Sequence, residues 1–294
     1  MSRSDSAAAR GLTPPHTAVY GPGTGPVTTP RAANPERPGG DLWRTLADAL
    51  APRPCLACER LVAATSRARL GLCRPCVGRL RRQPDASCRR CGRLFADGGS
   101  RRCGLCRAAT TQPPWRSLQT AWIYAPPLDA VLTGLKFRRL DYLGPRLGAE
   151  AVDVLGPRAV LDHAGALDLV TWVPLHWRRR LARGFDQAEG VARGVAAALH
   201  LPCRRLLRRR RATPPQSLSP RGDRLDNLIR AFVPTRSARR TGRGLRVLLV
   251  DDVVTTGATL RSAARSLRRT GVREIHCLTA ARALSPNDAA PALP

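Results

Sequence analysis

Two adjacent carboxylates, Asp251 and Asp252, directly follow the apolar run Val247-Leu-Leu-Val250 and directly precede Val253-Val-Thr-Thr-Gly-Ala-Thr259. The hydroxyls of Thr255, Thr256 and Thr259 and successive backbone N–H groups can surround an anion, and Gly257 lets the chain turn tightly beside it. Two carboxylates would repel a bare phosphate. A ligand that also presents hydroxyls for the acids to accept from, or that brings Mg²⁺, satisfies both halves of the motif. A ribose 5-phosphate has that form. The competing reading is a strand, an Asx-type turn and a capped helix with no ligand.

Eight of the ten cysteines form four Cys-x-x-Cys pairs, Cys55/Cys58, Cys73/Cys76, Cys88/Cys91 and Cys103/Cys106, separated by 14, 11 and 11 residues. Each pair places two sulfurs on one side of a tight turn, half of a tetrahedral zinc site. Four such knuckles imply two closed Cys₄ centres, most simply from consecutive pairs, with interleaved pairing as the alternative. A closed tetrahedron leaves no open coordination position, so two structural Zn²⁺ ions are expected. Redox Cys-x-x-Cys or iron–sulfur chemistry competes, but the even spacing lacks the clustering of ferredoxins. Cys203 and Cys277 stand alone.

These groups need elements to hold them. Val247–Val250 reads as a strand buried on both faces of a parallel sheet, whose ligands sit beyond the strands' carboxyl ends. A helix over 259–269 follows, capped by Gly271, and then a strand over 274–280. Upstream, 118–124 reads as a strand, 126–135 as a helix and 169–173 as a buried strand closed by Pro174. Residues 186–199 read as an amphipathic helix opened by a capping box of Asp186 and Glu189. Strands alternating with helices predict an α/β, doubly wound parallel sheet. The expected organisation is a disordered tail over 1–40 and a Cys₄ module with a short leading helix over 41–112. The α/β domain then spans 115–283, and a second tail covers 284–294.

The formal net charge is +29, and 49 of the 50 basic residues are Arg, with Lys136 the sole Lys. So basic a chain attracts polyanions, whether nucleotides, pyrophosphate or nucleic acid. No apolar run reaches the ~18–20 residues of a membrane span, and no hydrophobic signal core opens the chain. A reducing cytoplasmic location without membrane insertion is therefore expected, where clustered cysteines bind metal.

The stretch Asp251 to Thr259 resembles the binding signature for 5-phosphoribosyl 1-pyrophosphate (PRPP) of type I phosphoribosyltransferases. The four knuckles, with Val173-Pro-Leu-His176, Arg183-Gly-Phe-Asp-Gln-Ala188, Thr213-Pro-Pro-Gln216 and the Asp-Asp-x-x-Thr-Thr-Gly motif, resemble the ComF family over residues 50 to 283. The resemblance implies a phosphoribosyltransferase fold behind a double zinc ribbon. It implies that Asp251 and Asp252 hold the ribose hydroxyls and that Val254, Thr255, Thr256, Gly257, Ala258 and Thr259 hold the 5-phosphate. It places Lys136, at the start of the domain, near the pyrophosphate, together with His176, Arg178, Arg180 and Arg183 on a loop whose guanidinium forks suit phosphate oxygens. The basic stretch 204–232 reads as a mobile hood over PRPP. Asp186 stands where the family usually has Asn, an extra charge that is tolerable if it caps a helix. The implied activity is Mg²⁺-assisted phosphoribosyl transfer to an unidentified acceptor. The alternative is a non-catalytic PRPP- or nucleotide-binding protein that handles single-stranded DNA in natural competence, with competence-machinery proteins as partners; a nucleotide-sensing regulator would share the pocket. Against nucleic acid stands the scarcity of aromatic residues, 4% of the chain.

Overall fold

Val247, Leu248, Leu249 and Val250 are each at most 1% exposed. Leu248 and Val250 enter one apolar cluster while Val247 and Leu249 enter another, the two-residue alternation of a strand covered on both faces. The computed structural model containing them describes residues 53–62, 69–94, 102–164, 167–210, 231–284 and 288. The expected helix near the N-terminus, the N-terminal tail, most of the C-terminal tail and most of the proposed hood lie outside these residues.

The elements run β1 (Arg53–Pro54), β2 (Leu61–Val62), α1 (Arg74–Gly78), α2 (Gly104–Ala108), β3 (Ser117–Ile123), α3 (Leu128–Phe137), α4 (Leu143–Leu155) and α5 (Pro157–Ala164). They continue β4 (Leu169–Trp172), α6 (Trp177–Arg183), α7 (Gln187–Ala198), β5 (Leu207–Arg209), β6 (Phe232–Pro234), α8 (Arg236–Thr241), β7 (Arg246–Val254), α9 (Ala258–Arg268) and β8 (Glu274–Arg282). Among the described residues the main sheet has the order β3-β8-β7-β4 with every pairing parallel. Apolar residues of α3, α4 and α7 cover one face. Those of α9, with Phe232 and Ala238, cover the other. The α/β, doubly wound parallel architecture expected from the sequence is therefore present.

Helices α4 and α7 approach unusually closely through glycine. A methyl group on Gly194 would collide with the Pro145 carbonyl oxygen and lie 2.6 Å from its carbon. One on Gly148 would collide with the Val191 carbonyl oxygen and lie 2.8 Å from the Val195 nitrogen.

Both sheet edges are occupied. Along β3, the Ile123 N–H donates to Arg81 O, the Gln83 N–H to Ala121 O and the Leu118 N–H to Arg89 O, each at 2.9 Å. Along β4, the Val170 N–H donates to Pro202 O and the Arg204 N–H to Val170 O, both at 2.9 Å. The segment between the second and third knuckles is thus hydrogen-bonded onto the sheet, and ribbon and sheet share one unit within Thr45–Pro294. Among the described residues no helix is long and apolar enough to cross a membrane.

Three local features differ from expectation. Strand β7 continues through Val254, because β8 pairs it as far as Val254↔Arg282, so the acid pair lies inside the strand and not beyond it. The expected arginine loop is the short helix α6, ended by Gly184 in the left-handed region (φ 83°). Residues 143–164, for which no element was read, form α4 and α5.

Candidate functional site

Within β7, Asp251 Oδ1 accepts from the Asp252 N–H at 3.0 Å and Asp252 Oδ1 from the Val253 N–H at 2.8 Å. These bonds aim the carboxylates at the point where the chain leaves the sheet. Lys136 reaches in from the last turn of α3, its Nζ 2.9 Å from Asp252 Oδ2. Burial, reinforced by the charge of Asp252, pushes the Asp251 carboxyl well above the usual carboxylate range, with the Lys136 ammonium in opposition. Burial pulls the Lys136 pKa down, but the charge of Asp252 and its hydrogen bond outweigh that and raise it above the ordinary lysine value. The paired Lys is therefore charged, and Asp251 resists ionisation.

After Val254 the chain turns through Thr255 and Thr256, both exposed, to Gly257, the N-cap of α9. Gly257 has φ 74°, which side-chain-bearing residues rarely adopt. Thr256 Oγ1 accepts from the Ala258 N–H at 3.4 Å, while buried Leu260 anchors the helix below. A cavity of about 220 Å³ opens here, lined by Lys136, the acid pair, Val253 to Thr255 and Gly257 to Leu260. The structure thus brings together Asp251, Asp252, Lys136 and the loop around the amino end of an 11-residue helix, where the macrodipole and free N–H groups favour an anion.

The other expected residues are not in the wall of this cavity. His176 is 4% exposed and caps α6, its Nδ1 accepting from the Arg178 N–H at 3.3 Å. Arg178 lies over the Trp177 ring, 5.3 Å from its centroid. Arg180 faces Glu189 at 3.8 Å. Arg183 donates to Gln187 Oε1 at 3.2 Å and lies 5.2 Å over the Phe137 ring. Asp186 caps α7, with Oδ1 accepting from the Glu189 N–H at 3.5 Å and Oδ2 from the Leu175 N–H at 2.8 Å. Burial raises its pKa against those two bonds. The Asp186 carboxyl therefore holds the start of α7 to the chain leaving β4.

Sequence reasoning missed two aromatic side chains in this region. Phe137, next to Lys136, is 70% exposed and Trp177 is 58% exposed. Both carry arginines on their faces, an arrangement that the scarcity of aromatic residues overall did not suggest.

The cysteines form two clusters of consecutive pairs, Cys55/Cys58/Cys73/Cys76 and Cys88/Cys91/Cys103/Cys106, with all ligand atoms of a cluster within 4.8 Å of one another. The Cys58–Cys73 and Cys91–Cys103 sulfurs are 3.6 and 3.7 Å apart. A tetrahedron with metal–sulfur bonds of about 2.3 Å has edges of about 3.8 Å, so each cluster could hold a metal ion. In the first, burial pushes the Cys55 thiol up, but backbone N–H groups, led by that of Cys73, together outweigh it and bring the thiol down to about 6. In the second, the hydrogen bond from Cys91, opposed by burial, holds Cys88 near 4. Each cluster thus has one thiol poised as a thiolate.

The chain is similar to several known proteins. The model of the phosphoribosyl transferase domain matches residues 186–290. DNA utilization protein YhgH of Escherichia coli O6:H1 is 32% identical over 217 residues, covering 71% of this chain and 89% of that protein. Competence protein F of Haemophilus influenzae is 30% identical over 227 residues, covering 74% of this chain and 92% of that protein. Among solved structures, the glutamine PRPP amidotransferase of B. subtilis matches 48% of this chain and 26% of its own at 25% identity and a TM-score of 0.30.

Proposed function

The chain belongs to the ComF family, and from that premise we propose that it binds PRPP with Mg²⁺ and transfers the phosphoribosyl group to an acceptor. The observation that carries this reading is the cavity where the acid pair, the sole lysine and the N-terminus of α9 meet. Asp251 and Asp252 accept hydrogen bonds from the ribose 2- and 3-hydroxyls, and the N–H groups and hydroxyls of Val254 to Thr259 hold the 5-phosphate. Lys136 gives up Asp252 for the pyrophosphate side of the ligand. Arg178, Arg180 and Arg183 engage pyrophosphate only by exchanging their present partners, which makes that end of the site inducible. When bound, Mg²⁺ supplies charge neutralisation of the departing pyrophosphate. The chain's own contribution is positional and electrostatic: it holds C1 of the ribose open to a nucleophile while pyrophosphate leaves. Titration of PRPP in the presence of Mg²⁺, followed by pyrophosphate release against a panel of nucleobases and amines, tests this. Absence of PRPP binding to the intact chain would refute it.

Two zinc ions complete the protein in this reading, one in each Cys₄ cluster, bracing the fold rather than reacting. Elemental analysis is expected to give two zincs per chain; a count of one or none rejects the double ribbon.

Phe137 and Trp177 favour a second reading, in which the same face handles single-stranded DNA, as the names of the DNA utilization and competence relatives suggest. Exposed rings beside Arg178, Arg183 and Lys136 offer stacking and backbone charge together. Base stacking contributes about 1–3 kcal/mol per ring, so Phe137→Ala or Trp177→Ala should weaken oligonucleotide binding by roughly 5- to 150-fold with little change in the salt slope. Unchanged affinity in both variants would leave charge alone as the attraction.

A further inference from the structure

The second Cys₄ cluster is linked to the 254–259 loop at Val254 and beside Gly257. Trp115 is 2% exposed, and its indole Nε1–H donates to the carbonyl of Arg90, inside the Cys88–Cys91 knuckle, at 2.7 Å. Arg90 in turn donates to Pro113 O at 2.8 Å and to Arg116 O at 3.2 Å, clamping the segment that carries the indole. On its far side the ring stands beside the loop: a Cβ added to Gly257 would lie 3.7 Å from Cη2, and Arg261 of α9 sits 5.5 Å from the ring centroid. The next carbonyl of the knuckle, that of Cys91, accepts from Arg282 Nη1 at 3.1 Å. Arg282 is the register partner of Val254, the last residue before the loop, and the adjacent Ala283 N–H donates to Val254 O at 2.9 Å. Two successive knuckle carbonyls thus lead by two separate routes to Val254 and to Gly257.

We propose that Trp115 is a positioning residue that couples metal occupancy of the Cys88/Cys91/Cys103/Cys106 cluster to the shape of the Val254–Thr259 loop, and so to its affinity for a sugar phosphate. The inference rests on the loop being a phosphate site. A metal holding the four sulfurs fixes the Arg90 and Cys91 carbonyls. The indole and Arg282 then hold Gly257 and Val254 where the loop N–H groups converge. Loss of the metal frees the knuckle, and the loop loses its support on both flanks.

Coupling of this kind is reciprocal, which provides a test in the unmodified protein. The zinc-loaded full chain is equilibrated with a graded competing chelator, with and without saturating ribose 5-phosphate, and the retained zinc is counted. Ribose 5-phosphate is expected to protect one of the two zincs, shifting its chelator midpoint about 10-fold, within the range usual for allosteric coupling. In Trp115→Phe, which keeps a ring but loses the N–H, the protein should retain two zincs and bind ribose 5-phosphate about 10-fold more weakly. The protection should shrink correspondingly. If the unmodified chain binds ribose 5-phosphate but retains zinc identically with and without it, the coupling is refuted and the phosphate site stands. If it does not bind ribose 5-phosphate, both the coupling and the phosphate site are refuted.

Discussion

Replacing Asp251 by Asn is expected to weaken PRPP binding and, at neutral pH, to raise the thermal stability of the ligand-free protein. The two effects have one origin. Burial and the Asp252 charge lift the Asp251 carboxyl well above its usual range, so folding favours the protonated form. Below the unfolded value of about 3.9 the acid is protonated in both states and imposes no penalty. As pH rises from there to the raised folded value, the native protein progressively loses stability relative to a neutral side chain. Asn never ionises, so the variant's melting advantage should be absent below about pH 3.9 and widen above it before levelling. A ligand that supplies hydroxyl donors and a cation reverses this balance, because the charged acid then gains partners. Each charge-assisted hydrogen bond contributes about 1.5–3 kcal/mol, so Asp251→Asn/Asp252→Asn together should weaken PRPP binding by roughly two to four orders of magnitude. Melting curves against pH and calorimetric titration of the same protein check both halves. Lower stability of Asp251→Asn at pH 7 would mean that the resting protein benefits from the charge.

Gly194→Ala should be among the most damaging single-atom additions to the fold. The new methyl meets backbone, the Pro145 carbonyl group, which no side-chain rotation can move away. Helices α4 and α7 would have to separate, and the cluster shared by Leu147, Val152, Val191 and Val195 would open with them. Overpacking commonly costs 1–3 kcal/mol, and a clash with backbone belongs at or above the top of that range. About 3 kcal/mol corresponds to a fall in melting temperature of roughly 6–12 °C for a domain of this size. Gly148→Ala, against Val191 and Val195, should behave alike, whereas Gly184→Ala meets nothing within 4 Å and is strained only by its φ of 83°. Equal melting temperatures for Gly194→Ala and the unmodified protein would show that the helices can part without loss.

The same helix pair shows where sequence reasoning stopped. Gly144, Pro145 and Gly148 lower the helix propensity of 143–155. The structure uses them instead for close approach, with Pro145 in the first turn, where a missing N–H has little consequence. That purpose exists only once α7 is in place. Strand β7 and helix α9 were legible because a run apolar on both faces has one environment in an α/β fold and because Gly257 marks the turn. The extension of β7 through the acid pair was not, since its last pairings are dictated by β8. The cysteine pairing became decidable only when the four sulfurs of each cluster were found together. Trp115, Phe137 and Trp177 carry no local signal: one is buried against a knuckle and the others are exposed beside arginines, and an isolated aromatic letter fits either setting.

The strip of backbone laid along β3 by residues 81–89 has a consequence for biogenesis. An open strand rim is a template for aggregation with other chains. Here the shield precedes the strand in the polypeptide, so a growing chain exposes its vulnerable margin only after the cover has emerged from the ribosome. If metal in the proposed Cys₄ sites shapes that cover, cells starved of it would then accumulate sticky nascent protein before any deficit in ligand binding could be felt.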